Sequence, residues 1–127
     1  KFPMMIINKC LKNEKKIKLT KGMQLRDFIY IDDLIRAYIT VIEKRNFYKN
    51  YYNNIEIGTG KLVNIKYFVK LITKLCKSSS TFNFGSIKYR KFELMKSKLN
   101  LNFIHSLGWN NKTSLRKGLI KTIKLKK

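Results

Sequence analysis

Between Leu25 and Ile42 the side-chain rhythm changes once, and that change limits the folds open to this chain. Residues 25–31 (LRDFIYI) are β-branched and aromatic, which suits a strand or an extended segment. From Asp32 the apolar residues Leu34, Ala37, Tyr38, Val41 and Ile42 recur at helical spacing. A strand that runs directly into an amphipathic helix, with the same succession elsewhere, points to an α/β fold and not to an all-α or all-β one.

The succession does recur. Residues 3–13 begin with Pro, which suits a first helical turn, and carry Met4, Ile7, Cys10 and Leu11 at helical spacing. Residues 16–19 alternate as a short strand does, and Lys21-Gly22 signals a turn. Residues 54–57 (NIEI) read as a strand closed by Gly58-Thr59-Gly60. A helix over 64–77 would turn Ile65, Phe68, Val69, Ile72, Leu75 and Cys76 inward. Residues 81–84 read as a strand ended by Gly85, 86–96 have no clean period, and 97–107 suit a helix stopped by Gly108. Thr113 or Ser114 can cap a last helix that uses Leu115, Leu119, Ile120 and Ile123. Residues 1–127 are expected to form one unit.

The formal charge of +22 invites a nucleic-acid reading, since polycations release counterions from phosphates. Of the 29 basic residues only five are Arg, the usual reader of phosphates and base edges. Lys, Asn and Ile are all abundant and share A/T-rich codons, so much of the charge reflects codon usage. A small basic nucleic-acid-binding module is the alternative reading. It requires a contiguous positive face, whereas the lysines are spread along the whole chain. The arginines kept against that bias, Arg26, Arg36, Arg45, Arg90 and Arg116, carry more information.

No apolar run approaches the ~18 residues of a membrane span, and no secretory leader pattern opens the chain. Cys10 and Cys76 have neither metal-ligand spacing nor a neighbouring His, so they read as reduced, buried thiols in a cytoplasmic setting. With one His (His105), a zinc site is not expected. Asp32-Asp33 stands at a helix start, where capping is the expected use, ahead of paired-carboxylate catalysis. Trp109 is expected to be a packing anchor, and His105 a surface or hydrogen-bonded residue. Arg26 is either half of a surface pair with Asp27, worth ~0–1 kcal/mol, or a cation held by a strand to meet an anion. The residues alone leave both open.

The motif Arg26-Asp27-Phe28-Ile29-Tyr30-Ile31-Asp32-Asp33, followed by Arg36-Ala37-Tyr38, resembles that of the extended short-chain dehydrogenases/reductases, the NAD-dependent epimerase/dehydratase family. Four more matches follow in order. They are Ile57-Gly58-Thr59-Gly60, Val63-Asn64-Ile65, the stretch with Phe84-Gly85, Tyr89-Arg90 and Glu93, and the ending with Leu107-Gly108-Trp109, Lys112-Thr113-Ser114-Leu115 and Gly118-Leu119. The resemblance implies a Rossmann-type α/β protein of which this chain is the C-terminal, substrate-binding portion. It implies a nucleotide-diphosphate sugar as substrate, gripped by Arg26 and Arg90, with Glu93 accepting from ribose hydroxyls. An Arg90–Glu93 ion pair is the plainer use of those two residues. It also implies NAD or NADP in the complete enzyme, a homodimer, and epimerisation, reduction or dehydration. The stretch 84–95 is most similar to members acting on 4-keto-6-deoxy sugars for bacterial surface polysaccharides.

Two family signatures are missing. The glycine-rich dinucleotide loop has no counterpart, because Gly58-Thr59-Gly60 lacks a third Gly in register. None of Tyr30, Tyr38, Tyr48, Tyr51, Tyr52, Tyr67 and Tyr89 has Lys four residues later, so the acid–base pair of the family is absent too. No catalytic residue is expected here, and no turnover by this chain alone. Glu56 stands where many members carry Asn, which would put a carboxylate beside a diphosphate unless it points elsewhere. Asn111 replaces the usual Pro of the ending and is expected to loosen a turn. If the chain lacks its partner layers, apolar faces at 34–42 and 65–76 should lie exposed.

Overall fold

The structure is a computed structural model that describes residues 2–47 and 52–127. Tyr48 and Tyr51 lie outside the described residues. Helix α1 (Phe2–Leu11) leads to strand β1 (Ile17–Leu19) and strand β2 (Leu25–Asp27). Helix α2 (Ile31–Glu43) follows, then strand β3 (Leu62–Asn64) and helix α3 (Ile65–Cys76). Strand β4 (Phe82–Phe84) and the helices α4 (Asn102–Ser106) and α5 (Leu115–Lys124) complete the order.

The strands form two small sheets. β1 and β4 run parallel, with Ile17 opposite Phe82 and Leu19 opposite Phe84. A parallel pair needs a long crossover, and β2, α2, β3 and α3 supply it. β2 and β3 run antiparallel, with Arg26 opposite Val63. On its other side β2 is met by residues 95 and 96: the Leu25 N–H donates to the Met95 carbonyl at 2.8 Å, and Leu25 bridges Lys96 in parallel.

The main core lies between α1, α3, α5 and the β1–β4 pair. Ile6, Ile7, Cys10, Phe68, Val69, Ile72, Leu119 and Ile123 fill it, with Phe28 stacked on Phe68 at 3.8 Å. Burying each such side chain stabilises by roughly 1.5–3 kcal/mol against leaving it in water. A second cluster joins Ala37, Leu101, Ile104 and Trp109, with Ile55, Ile57 and Leu99 packed on its rim.

α3 begins where expected because Asn64 caps it, accepting from the Tyr67 N–H at 2.7 Å. It ends at Lys77, which takes the left-handed conformation of a helix C-terminus (φ 53°). Ser114 caps α5 by accepting from the Lys117 N–H.

Several expectations need correction. The strand at 25–31 stops at Asp27, because β3 offers only three paired residues, and Ile31 already belongs to α2. No ladder forms at 54–57 among the described residues; Ile55 and Ile57 instead lean on the second cluster. The helix expected over 97–107 shrinks to α4, since the chain just before it is drawn to the edge of β2. α1 ends at Leu11, two residues early, and Asn13 turns left-handed (φ 53°). Tyr38, Ile42 and Ile120 face outward.

Candidate functional site

Arg26 sits at the centre of β2, with a neighbour on each edge of the strand. One edge is β3; the other is the segment around Met95, which carries Glu93 back toward the strand. Arg26 Nη2 donates to Glu93 Oε1 at 2.9 Å, and Nη1 donates to the Leu25 carbonyl at 2.9 Å. Both side chains are partly buried, so the pair is better shielded from water than a surface one. Glu93 therefore binds Arg26 and not Arg90. The bond between positions 90 and 93 is backbone only, from the Glu93 N–H to the Arg90 carbonyl at 3.1 Å.

Arg26, Arg90 and Glu93 line one cavity of about 500 Å³. Leu19, Phe28 and Ile65 give it an apolar wall. Tyr89 fixes the loop that carries Arg90: its hydroxyl accepts from the Met23 N–H at 3.0 Å, tying that loop to the lead-in of β2. Two guanidinium forks on one pocket can hold a multiply charged anion from two sides. Glu93 occupies part of one fork, so such an anion must join or displace it.

Asp27, a candidate partner of Arg26 on sequence grounds, binds the 58–60 loop instead. Its carboxylate accepts from the Thr59 N–H at 2.8 Å, the Gly60 N–H at 2.7 Å and the Thr59 hydroxyl at 2.5 Å. The carboxylate is thereby turned to the 58–60 loop and is not paired with Arg26. The glycines explain the loop. Gly60 has φ 75°, and a Cβ on Gly58 would fall 2.4 Å from Leu99 Cδ1 and 2.7 Å from Asp27 Oδ2. An Arg-Asp step followed by a distant Gly-Thr-Gly was the available signal.

The acidic pair at the start of α2 does not cap it. Tyr30 is the N-cap and makes no side-chain bond there. Asp33 is 1 % exposed and reaches across to the segment before α5, accepting from the Lys112 and Thr113 N–H groups at 3.1 and 2.8 Å. Arg36 donates to the same carboxylate at 2.6 Å. Burial pushes the carboxyl pKa up, but Arg36 and the two N–H groups outweigh it and hold it below the ordinary value. The segment carrying Asn111 is thus pinned where a Pro was missing. Trp109 is buried and donates from Nε1 to the Asp33 carbonyl at 3.1 Å. His105 is exposed, its ring 6.5 Å from that of Trp109. Glu56 accepts from the Asn100 N–H and does not line the cavity.

The model of the NAD dependent epimerase/dehydratase family matches residues 1–58. The CDP-abequose synthase of Salmonella muenchen is 39% identical over 118 residues, covering 93% of this chain and 40% of that protein. The chain matches the NAD dependent epimerase/dehydratase family. A putative UDP-glucose 4-epimerase of Methanocaldococcus jannaschii, another similar protein, is 29% identical over 119 residues, covering 92% of this chain and 36% of the relative. The crystal structure of a Thermotoga maritima UDP-glucose 4-epimerase with UDP-glucose matches with a TM-score of 0.80 and 25% identity, over 98% of this chain and 38% of its own. The chain spans about two fifths of the length of the curated relatives it matches. Its fold is α/β, that of part of a Rossmann-type epimerase.

The 58–60 loop is turned to a carboxylate of this chain: the Thr59 and Gly60 N–H groups both donate to Asp27. Among the described residues no helix is long and apolar enough to cross a membrane, and no cluster of His, Cys, Asp or Glu could hold a metal.

Proposed function

We propose that this chain supplies the nucleotide-diphosphate-sugar site of an NAD(P)-dependent epimerase, reductase or dehydratase. The observation that carries the reading is the single cavity shared by Arg26 and Arg90, remote in sequence, with Glu93 on the first of them. A diphosphate bridges the two forks, each charged hydrogen bond contributing about 1.5–3 kcal/mol. Glu93 accepts from a ribose hydroxyl once the anion has taken Arg26. The CDP- and UDP-sugar names of the similar proteins support the substrate class.

Hydride chemistry belongs, on this reading, to residues and a nicotinamide that this chain does not hold, in a cytoplasmic homodimer of the complete enzyme. The outward face of α2 supports this. Ile31, Ile35, Tyr38, Ile39 and Ile42 form one stripe, each about half exposed or more. Such a stripe on a helix is what a further layer covers. The other face expected to lie open, at 65–76, is filled instead, with Phe68, Val69, Ile72 and Cys76 buried.

Calorimetry with CDP-glucose tests the site. Arg26→Ala and Arg90→Ala are each expected to weaken binding about tenfold or more. Unchanged affinity in both variants would exclude it. The 127-residue chain, given CDP- or UDP-sugars with NAD or NADP, is expected to show no turnover; robust conversion would overturn that part.

A further inference from the structure

One side of α3 carries charge of a single sign. Lys66, Lys70 and Lys74 recur at four-residue steps along it, and Lys77 follows at its C-cap. Lys70, Lys74 and Lys77 are exposed, and none of the four forms an ion pair among the described residues. From Gly58 to Phe92 the sequence holds no Asp or Glu. Codon usage makes lysine common, but it neither clears acids from such a stretch nor lines the lysines up. Lys74 and Lys77 suit the negative end of the helix, whereas Lys66 stands in the first turn, where a cation opposes the dipole. Like charges four residues apart also repel, so the row weakens α3 unless an anion meets it.

The row borders a groove. Lys70, Lys74 and Lys77 line a cavity of about 420 Å³, with Ser80, Phe82 and Phe84 opposite. It shares no residue with the cavity of Arg26 and Arg90. The opposite wall is β4, which pairs with β1 alone among the described residues. The Ile17 N–H donates to the Thr81 carbonyl and the Gly85 N–H to the Leu19 carbonyl. By alternation, the backbone groups of Phe82 and Phe84 face away from β1, toward the open edge. Such an edge is a template for another strand, and lysines beside it repel a second copy of this basic chain.

The dimensions suit a strand. Lys66 Nζ stands 5.3 Å from the centre of the Phe84 ring, so the start of α3 lies at the end of β4 and the walls run antiparallel. Residues four apart on a helix are about 6 Å apart along its axis. Side chains on one face of a strand recur every ~6.5–7 Å. Single-stranded nucleic acid fits less well. It cannot extend a β-ladder, Lys66 already covers the Phe84 ring, and the Phe82 and Phe84 rings are tilted by 32° to each other.

We propose that the groove between α3 and β4 docks an extended acidic segment of a partner protein. The segment adds as a strand to the β4 edge and sets carboxylates, at alternate positions, on Lys70, Lys74 and Lys77. This surface does not depend on the nucleotide-sugar reading of the other cavity.

Fluorescence anisotropy with a labelled peptide of alternating Glu and Val tests it, against a peptide of the same composition with Glu and Val in separate blocks. The 127-residue chain should bind the alternating peptide more tightly, and the binding should weaken as salt rises. Lys70→Gln with Lys74→Gln should weaken it roughly fivefold. Lys98→Gln with Lys117→Gln removes the same charge outside the groove and should leave it unchanged. All four positions are exposed, so both double variants should fold. The Phe82 and Phe84 amides should gain protection from hydrogen exchange when the alternating peptide binds. Absence of binding, equal affinity for the two peptides, equal loss in the two double variants, or amides left unprotected would each overturn the proposal. An oligothymidylate that displaces the alternating peptide at a lower concentration would overturn it too, and would assign the groove to nucleic acid.

Discussion

Asp33 shows how one carboxylate can hold two parts of a chain together. It is buried, joined to Arg36, and bonded to two N–H groups just ahead of α5. Its pKa lies below the ordinary carboxylate value, so the unfolded chain takes up its proton first as the pH falls. The stabilisation is complete above the unfolded value, near pH 4, and is lost as the pH drops through the folded one. Asp33→Asn should cost about 2–3 kcal/mol at pH 7 in urea unfolding. That gap should narrow as the pH falls from 4 through the lowered folded value and the Asp33 carboxyl becomes neutral in the folded chain too; a gap independent of pH would show that the charge is not the cause. Cys76 is the opposite case. Burial raises its thiol pKa, with Cys10 beside it adding to the effect, and both cysteines are free. Arg26 and Arg90 were readable in the sequence through their motifs, yet the partner of Glu93 was not. Whether Glu93 turns to position 90 or 26 depends on the bridge at Lys96, which no local pattern announces.

Among the elements, the helices with their own caps were legible and the strands were less so. α3 and α5 carry period, cap and stop within a dozen residues, so their sequence is nearly sufficient. A strand exists only with a neighbour, and residues 54–57 have none among the described residues, whatever their alternation. β3 went unread as a strand because its three residues run straight into α3. The 58–60 loop is an element in the same sense, shaped by what it must hold. Gly58→Ala would drive a methyl group into Asp27 Oδ2 and Leu99 Cδ1. Leu99 can turn aside, whereas Asp27 is fixed by its bonds to Thr59 and Gly60, so the expected cost is about 1–3 kcal/mol. Thermal melting checks this; a midpoint unchanged from the parent chain would mean the loop yields freely.

At the scale of the whole molecule, the exposed stripe on α2 is the feature most at odds with a chain meant to stand alone. Ile35→Glu with Ile39→Glu should leave the helical circular dichroism of the 127-residue chain intact and lower its tendency to self-associate. A loss of folding would mean that this face is already packed. The +22 charge limits aggregation meanwhile by repulsion. The β1–β4 ladder has a further consequence. Its two strands stand at positions 17–19 and 82–84, with the material of β2, α2, β3 and α3 strung between them. During translation, β4 cannot join Ile17 and Leu19 until Phe84 has cleared the ribosomal tunnel. That ladder must therefore wait until the intervening β2, α2, β3 and α3 have been made.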